Sequence, residues 1–306
     1  MSPTAIALIL VAAVAHACWN MFSKQAASAG AVCFVWLFFT VGAAAYAPVT
    51  AIVWVLARPR LAGLPLVFLA GTAVIHVAYA LLLQSGYQFG DLSVVYPIGR
   101  GSGALLAALA GVVLLGERPG PVSVAGIVLV IGGVIVIGLP GRRAAGAALA
   151  VPAEPAAPAL ARRFSPAVLG ISFALLTGIS IAVYTLWDKY AVATLQIPPV
   201  LEDWAANLGV AVGLAPLALR DRPRLARVWR DWRRQVLGAA VLSPLAYILV
   251  LTAMRFTAVA ITAPCREISV LFGVLLGRRL LGEGAAVRRL AAAAAIVAGI
   301  IVIAVG

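Results

Sequence analysis

Long apolar stretches, broken by short runs that carry most of the arginine, recur along this chain from one end to the other. Crossing about 30 Å of hydrocarbon takes roughly 20 apolar residues in a helix. Ten stretches meet that requirement. They fall near 4–23, 31–56, 64–87, 92–115 and 121–139, and again near 166–187, 198–219, 236–255, 258–281 and 287–305. Each is continuously apolar and lacks the alternation of a membrane-barrel strand, so the expected fold class is all-α, integral to a membrane. The first stretch has no basic n-region and ends on bulky Trp19, Asn20 and Met21, so it is expected to be a retained helix and not a cleaved signal.

Composition agrees with the pattern. Hydrophobic residues make up 64% of 306 positions and charged residues 11%, more apolar surface than a soluble core could hide. The net charge of +13 lies largely in arginines between spans, where basic residues anchor helices and meet anionic headgroups. The expected partners are therefore a lipid bilayer and a small-molecule solute, with no nucleic acid. Cys18, Cys33 and Cys265 fall in apolar segments without metal-ligand spacing, and no P-loop, CxxC pair or HExxH occurs. No metal or cofactor is expected.

The chain also repeats. Arg100 precedes Glu117 by 17 positions (117 − 100), as Arg266 precedes Glu283 (283 − 266), and each acid follows Leu-Leu-Gly. WNMFSK from Trp19 aligns with YTLWDK from Tyr184, placing Lys24 over Lys189. An Ala/Pro-rich segment at 141–165 separates the copies, giving a first repeat at 1–140, a linker and a second repeat at 166–306. Five crossings per repeat is an odd number, so the second copy enters the membrane from the opposite side and the repeat is inverted.

These motifs, HACWNMFSK at His16 to Lys24, VVYPIGRGSGALLAALAGVVLLGE at Val94 to Glu117, and the counterpart at Ala263 to Glu283, resemble the EamA-type transporters of the drug/metabolite transporter superfamily. The resemblance spans nearly the whole chain apart from the linker and the arginine-rich stretch near 220–234. It implies ten helices and a central cavity lined by the first, third, fourth, sixth, eighth and ninth. It also implies a secondary transporter of an amino acid, metabolite or drug-like solute, working by alternating access with export as the favoured direction. The competing classes are an intramembrane enzyme and a non-transporting scaffold. The location implied is a cell membrane, crossed many times; if the source is bacterial, the inner membrane. The charge count puts the termini outside and the resemblance puts them in the cytoplasm, and neither reading sets the coupling ion or the oligomeric state.

Candidate chemistry follows from charge and polarity at membrane depth, which cost about 2.5–3.5 kcal/mol per charged residue on insertion scales. Arg100 and Arg266 lie deep in matching spans. His16, Asn20 and Lys24, spaced by four, form a polar stripe on the first helix, and His76 and Tyr79 sit on the third. The expected solute-binding set is His16, Asn20, His76, Tyr79, Tyr96, Arg100, Tyr184, Tyr247 and Arg266, favouring a carboxylate or phosphate that guanidinium binds bidentately. Lys24, Asp188, Lys189 and Glu267 are the expected coupling or gating residues, for a proton or counter-solute, with Glu267 as local partner of Arg266. Glu202 and Asp203 read as a solvated helix end, with Asn207 completing an i, i+4 pair. Glu117 and Glu283 read as caps near loops.

Overall fold

The computed structural model describes residues 2–138, 165–272 and 287–305. The expected linker and Glu283 lie outside the described residues. Ten helices are described: α1 (Pro3–Gln25), α2 (Ala31–Ala57), α3 (Leu64–Phe89), α4 (Leu92–Leu114), α5 (Pro121–Gly138), α6 (Pro166–Ala193), α7 (Pro199–Ala218), α8 (Arg222–Met254), α9 (Val259–Cys265) and α10 (Val287–Val305). No strand occurs among the described residues. Among the described residues, six helical runs are long and apolar enough to cross a membrane. One of them, Pro199–Met254, takes 56 residues, far more than one crossing needs, and a 3-10 turn at Leu219–Asp221 divides it into α7 and α8.

Local chemistry accounts for several helix ends. Ser2 and Ser165 cap α1 and α6, each accepting the amide of the third residue on, and each is followed by a proline whose missing N–H costs nothing in a first turn. α8 departs from helical geometry at Trp232, where its arginine-rich first part joins its apolar part. The expected ninth span is interrupted: α9 ends at Cys265, Arg266 and Glu267 form a turn, and helical backbone resumes at 268–272. Pro264 supplies no donor to the ladder, and Glu267, Ser269 and Val270 bond back three residues instead of four.

The two halves pack as images of each other. Trp36 of α2 donates its indole N–H to the Ala211 carbonyl of α7 at 2.8 Å, while Trp204 of α7 donates to the Ala43 carbonyl of α2 at 2.9 Å. Lys24 of α1 places its amine on the Tyr87 and Gly90 carbonyls that end α3, at 3.0 and 2.7 Å. Lys189 of α6 does the same to Met254 and Thr257 at the end of α8, at 2.6 and 2.9 Å. The Phe22 ring of α1 covers Gly238 of α8, and the Trp187 ring of α6 covers Gly71 of α3. Gly126 of α5 meets Gly299 of α10, and Gly133 of α5 meets Ala292 of α10. Exchanging the halves thus carries each of these contacts onto another, with α2·α7 and α5·α10 mapped onto themselves across a pseudo-axis and α1·α8 interchanged with α3·α6. Small residues at these crossings let backbones approach where lipid offers no hydrophobic drive to associate.

The α5·α10 crossing gives a direct test. A Cβ at Gly126 would lie 2.6 Å from the Gly299 carbonyl oxygen, whereas one at Gly132 meets nothing within 4 Å. Gly126→Val should lower stability by about 1–3 kcal/mol, the range for overpacking. Gly132→Val, on the same helix, should leave the thermal unfolding midpoint of the detergent-solubilised protein unchanged.

Candidate functional site

Four helices that cross in the middle of the bundle, α1, α3, α6 and α8, bring their aromatic and imidazole rings to one place. His76 lies with its ring centroid 4.7 Å from Tyr184 and 5.6 Å from Tyr247, and Tyr184 stands 5.1 Å from Tyr79 and 5.5 Å from Tyr247. Most of these pairs meet edge to face or tilted, the arrangement favoured by the ring quadrupoles. His16 and Trp19 close the opposite wall, with the Trp19 indole donating to His16 Nδ1 at 3.0 Å. The enclosed space is small, about 20 Å³, room for one water and not for an organic solute. The conformation is therefore closed around its centre.

Five of the nine residues expected to bind solute line this cavity: His16, His76, Tyr79, Tyr184 and Tyr247. The other four are buried around it. Asn20 donates to the His16 carbonyl at 2.7 Å and accepts the Tyr87 hydroxyl at 2.5 Å. Tyr96 donates to the Ser269 hydroxyl at 2.8 Å, tying α4 to the segment after α9. Arg100 and Arg266 sit behind the rings, near enough to act electrostatically on His16 and Tyr184. The lining differs from the expected helices, because Phe39 of α2 and Asp203, Ala206 and Asn207 of α7 reach the cavity while no α4 or α9 side chain does.

The charges are arranged in two groups. On the α4 and α9 side, Arg100 Nη2 lies 3.1 Å from Glu267 Oε1, an ion pair without good hydrogen-bond angles. This corrects the expectation that Glu267 answers its neighbour Arg266: the ion pair Glu267 makes is with the arginine of the other repeat, while Arg266 acts on it without pairing within 4.0 Å. Arg266, 1% exposed, has no hydrogen-bond partner for any guanidinium nitrogen among the described residues. On the α6 and α7 side, Asp188 accepts the Tyr247 hydroxyl at 2.5 Å. Asn207 donates to Asp203 Oδ2 at 2.9 Å.

Glu202 and Asp203 are 0% and 4% exposed, so the reading of a solvated helix end is wrong. α7 begins at Pro199 inside the bundle, and its first turn is covered by α3 and α6. The available signal was the i, i+4 pairing of Asp203 with Asn207 on an otherwise apolar helix, which marks an inward polar stripe more often than a boundary. Glu117 behaves as a cap: its carboxylate accepts the amides of Val259 and Ala260 at 2.8 and 2.7 Å, at the start of α9. Lys24 and Lys189 have their amines on the ends of α3 and α8, the place where a cation offsets orphan carbonyls and the helix dipole.

Comparison with known proteins agrees with this arrangement. A search of curated proteins returns no match. Among solved structures, one protein crystal structure superposes with a TM-score of 0.69 over 99% of this chain and 96% of its own. At 18% identity it shows the fold alone. The model of the EamA-like transporter family matches residues 3–139 and again 168–305, one copy for each half of the pseudo-symmetric bundle. The chain belongs to the EamA-like transporter family.

Proposed function

We propose that this multi-pass membrane protein is a secondary transporter that carries a small organic solute with an anionic group through its central cavity by alternating access. The family matched in both halves consists of transporters, and the halves are related by a pseudo-two-fold axis, which offers two equivalent ways for the bundle to open. The observation that carries the solute class is Arg266. A guanidinium this buried needs an acceptor, and none is present among the described residues. A carboxylate or phosphate entering from the ring-lined cavity would supply it bidentately, while the rings of Tyr79, Tyr184 and His76 would cover an apolar body. A cavity of about 20 Å³ must widen to admit such a solute, which is what opening to one side accomplishes. The driving force is a gradient, since the sequence has no P-loop with which to bind ATP.

Arg100 differs from Arg266 in this scheme. Its charge is already matched by Glu267, and we assign the pair the task of joining the two repeats beneath the site. Removing one member leaves the other buried and unpaired, which costs about 3–5 kcal/mol.

Two outcomes follow for purified protein in liposomes. Arg266→Gln should reduce uptake of anionic or zwitterionic solutes by at least about tenfold, the equivalent of 1.4 kcal/mol, with folded protein in the membrane near the wild-type amount. Normal transport by that variant would remove Arg266 from the site. Arg100→Gln should instead lower the amount of folded protein, and Arg100→Gln combined with Glu267→Gln should recover part of it, as size-exclusion profiles in detergent would record.

A further inference from the structure

The acidic residues of the core break the symmetry of the fold. Arg100 matches Arg266 and Lys24 matches Lys189, but Ser23 stands where the second half has Asp188. Asp188, Glu202 and Asp203 come together where α6 and α7 face α3 and α8. Glu202 and Asp188 are both 0% exposed. The Glu202 carboxyl faces that of Asp188, and Asp203 adds its field to both. Neither oxygen of Glu202 has a hydrogen-bond donor among the described residues, and Oδ1 of Asp188 also lacks one.

The groups around the pair are an imidazole, hydroxyls and rings. α3 contributes His76, whose Nδ1 is engaged by Thr72 at 2.9 and 3.0 Å, and both His76 and the Thr72 side chain act on Asp188. α8 contributes the Tyr247 hydroxyl, α6 the Tyr184 ring, and α2 brings Tyr46 toward Asp203. Among the described residues, no Lys, Arg or His nitrogen lies within 4.0 Å of any of the three carboxylates. Lys189, next to Asp188 in the chain, turns its amine to the end of α8. No grouping that could hold a metal ion is present among the described residues. Two carboxylates face to face, away from water and with no cation within 4.0 Å among the described residues, are costly to keep ionised together, and a proton shared between them relieves that cost.

We propose that Asp188 and Glu202 are a proton-carrying pair, with Asp203 on the cavity wall as its outlet. A carboxylate takes a proton from water on one side, becomes a carboxylic acid, and returns it on the other when the bundle reopens. Tyr247 and Tyr184, which join the pair to the rings of the cavity, would make its state felt by the solute. The use of the proton as driving ion rests on the transport reading, whereas the existence of the proton does not.

Infrared difference spectroscopy on the full-length protein in liposomes tests this without knowledge of the solute. The wild type should show a carboxylic C=O band at neutral pH that shifts in D2O. The band should be lost in Glu202→Gln and, should that variant fold poorly, in Asp188→Asn. Absence of the band in the wild type, or its persistence at full intensity in both variants, overturns the proposal. So does its removal by sodium chloride, which would make the site one for a metal cation. A band accompanied by no flux of any solute upholds the proton site and defeats the transport reading. Flux together with the band should vary with the pH difference across the vesicle, and lose that dependence in Glu202→Gln.

Discussion

A charged side chain held at the depth of the hydrocarbon must be answered from inside the protein, because lipid offers neither water nor counter-ions. The rest of the molecule is organised around this requirement. Lys24 and Lys189 are answered by the carbonyls that α3 and α8 leave free at their ends, so that two charges which would otherwise destabilise the bundle hold its crossing helices together. Arg100 is answered by Glu267 across the interface between the repeats. Each of these charges is absorbed by the scaffold and works as a fastening.

What remains unanswered is concentrated at the centre. Arg266 on one side and the Asp188, Glu202 and Asp203 group on the other flank a small ring-lined cavity. The scaffold obeys the two-fold axis closely, down to paired indole bonds and paired lysine clamps, while these acids occur in the second half alone. On the proposed transport reading, symmetry in the fastenings would make two related conformations of similar energy available, and asymmetry in the chemistry would let a solute or a proton bind differently in each. A ligand shifts such an equilibrium only through that difference in affinity.

Much of the architecture was legible in the chain. Hydrophobic length located most of the described helices to within a few residues, since a span must cover the hydrocarbon. But α8 starts 14 residues (236 − 222) before the expected eighth span, because its first part is arginine-rich, and α9 stops at Cys265 inside the expected ninth. The repeat was visible in the spacing of Arg100 and Glu117 against Arg266 and Glu283, and the family match falls on both halves. The lysines were visible in the same way, although their spacing could not tell a gate from a clamp. The interrupted ninth span carried its own sign in Pro264, but the turn that follows depends on what the helix packs against.

The sequence by itself determined an all-helical membrane bundle of two repeated units, with two arginines that the structure buries and tyrosines and histidines on inward stripes, because hydrophobic periodicity and charge burial are local properties of a segment. Only the tertiary structure decided which charge meets which. Glu267 pairs with an arginine 167 positions away (267 − 100) and not with the one beside it. Glu202 and Asp203 are drawn inside by the placement of α7 against α3 and α6, not by any feature of their own segment. Partners so distant in the chain are chosen by how helices cross, and crossing is a cooperative outcome of packing that no single stretch of sequence contains.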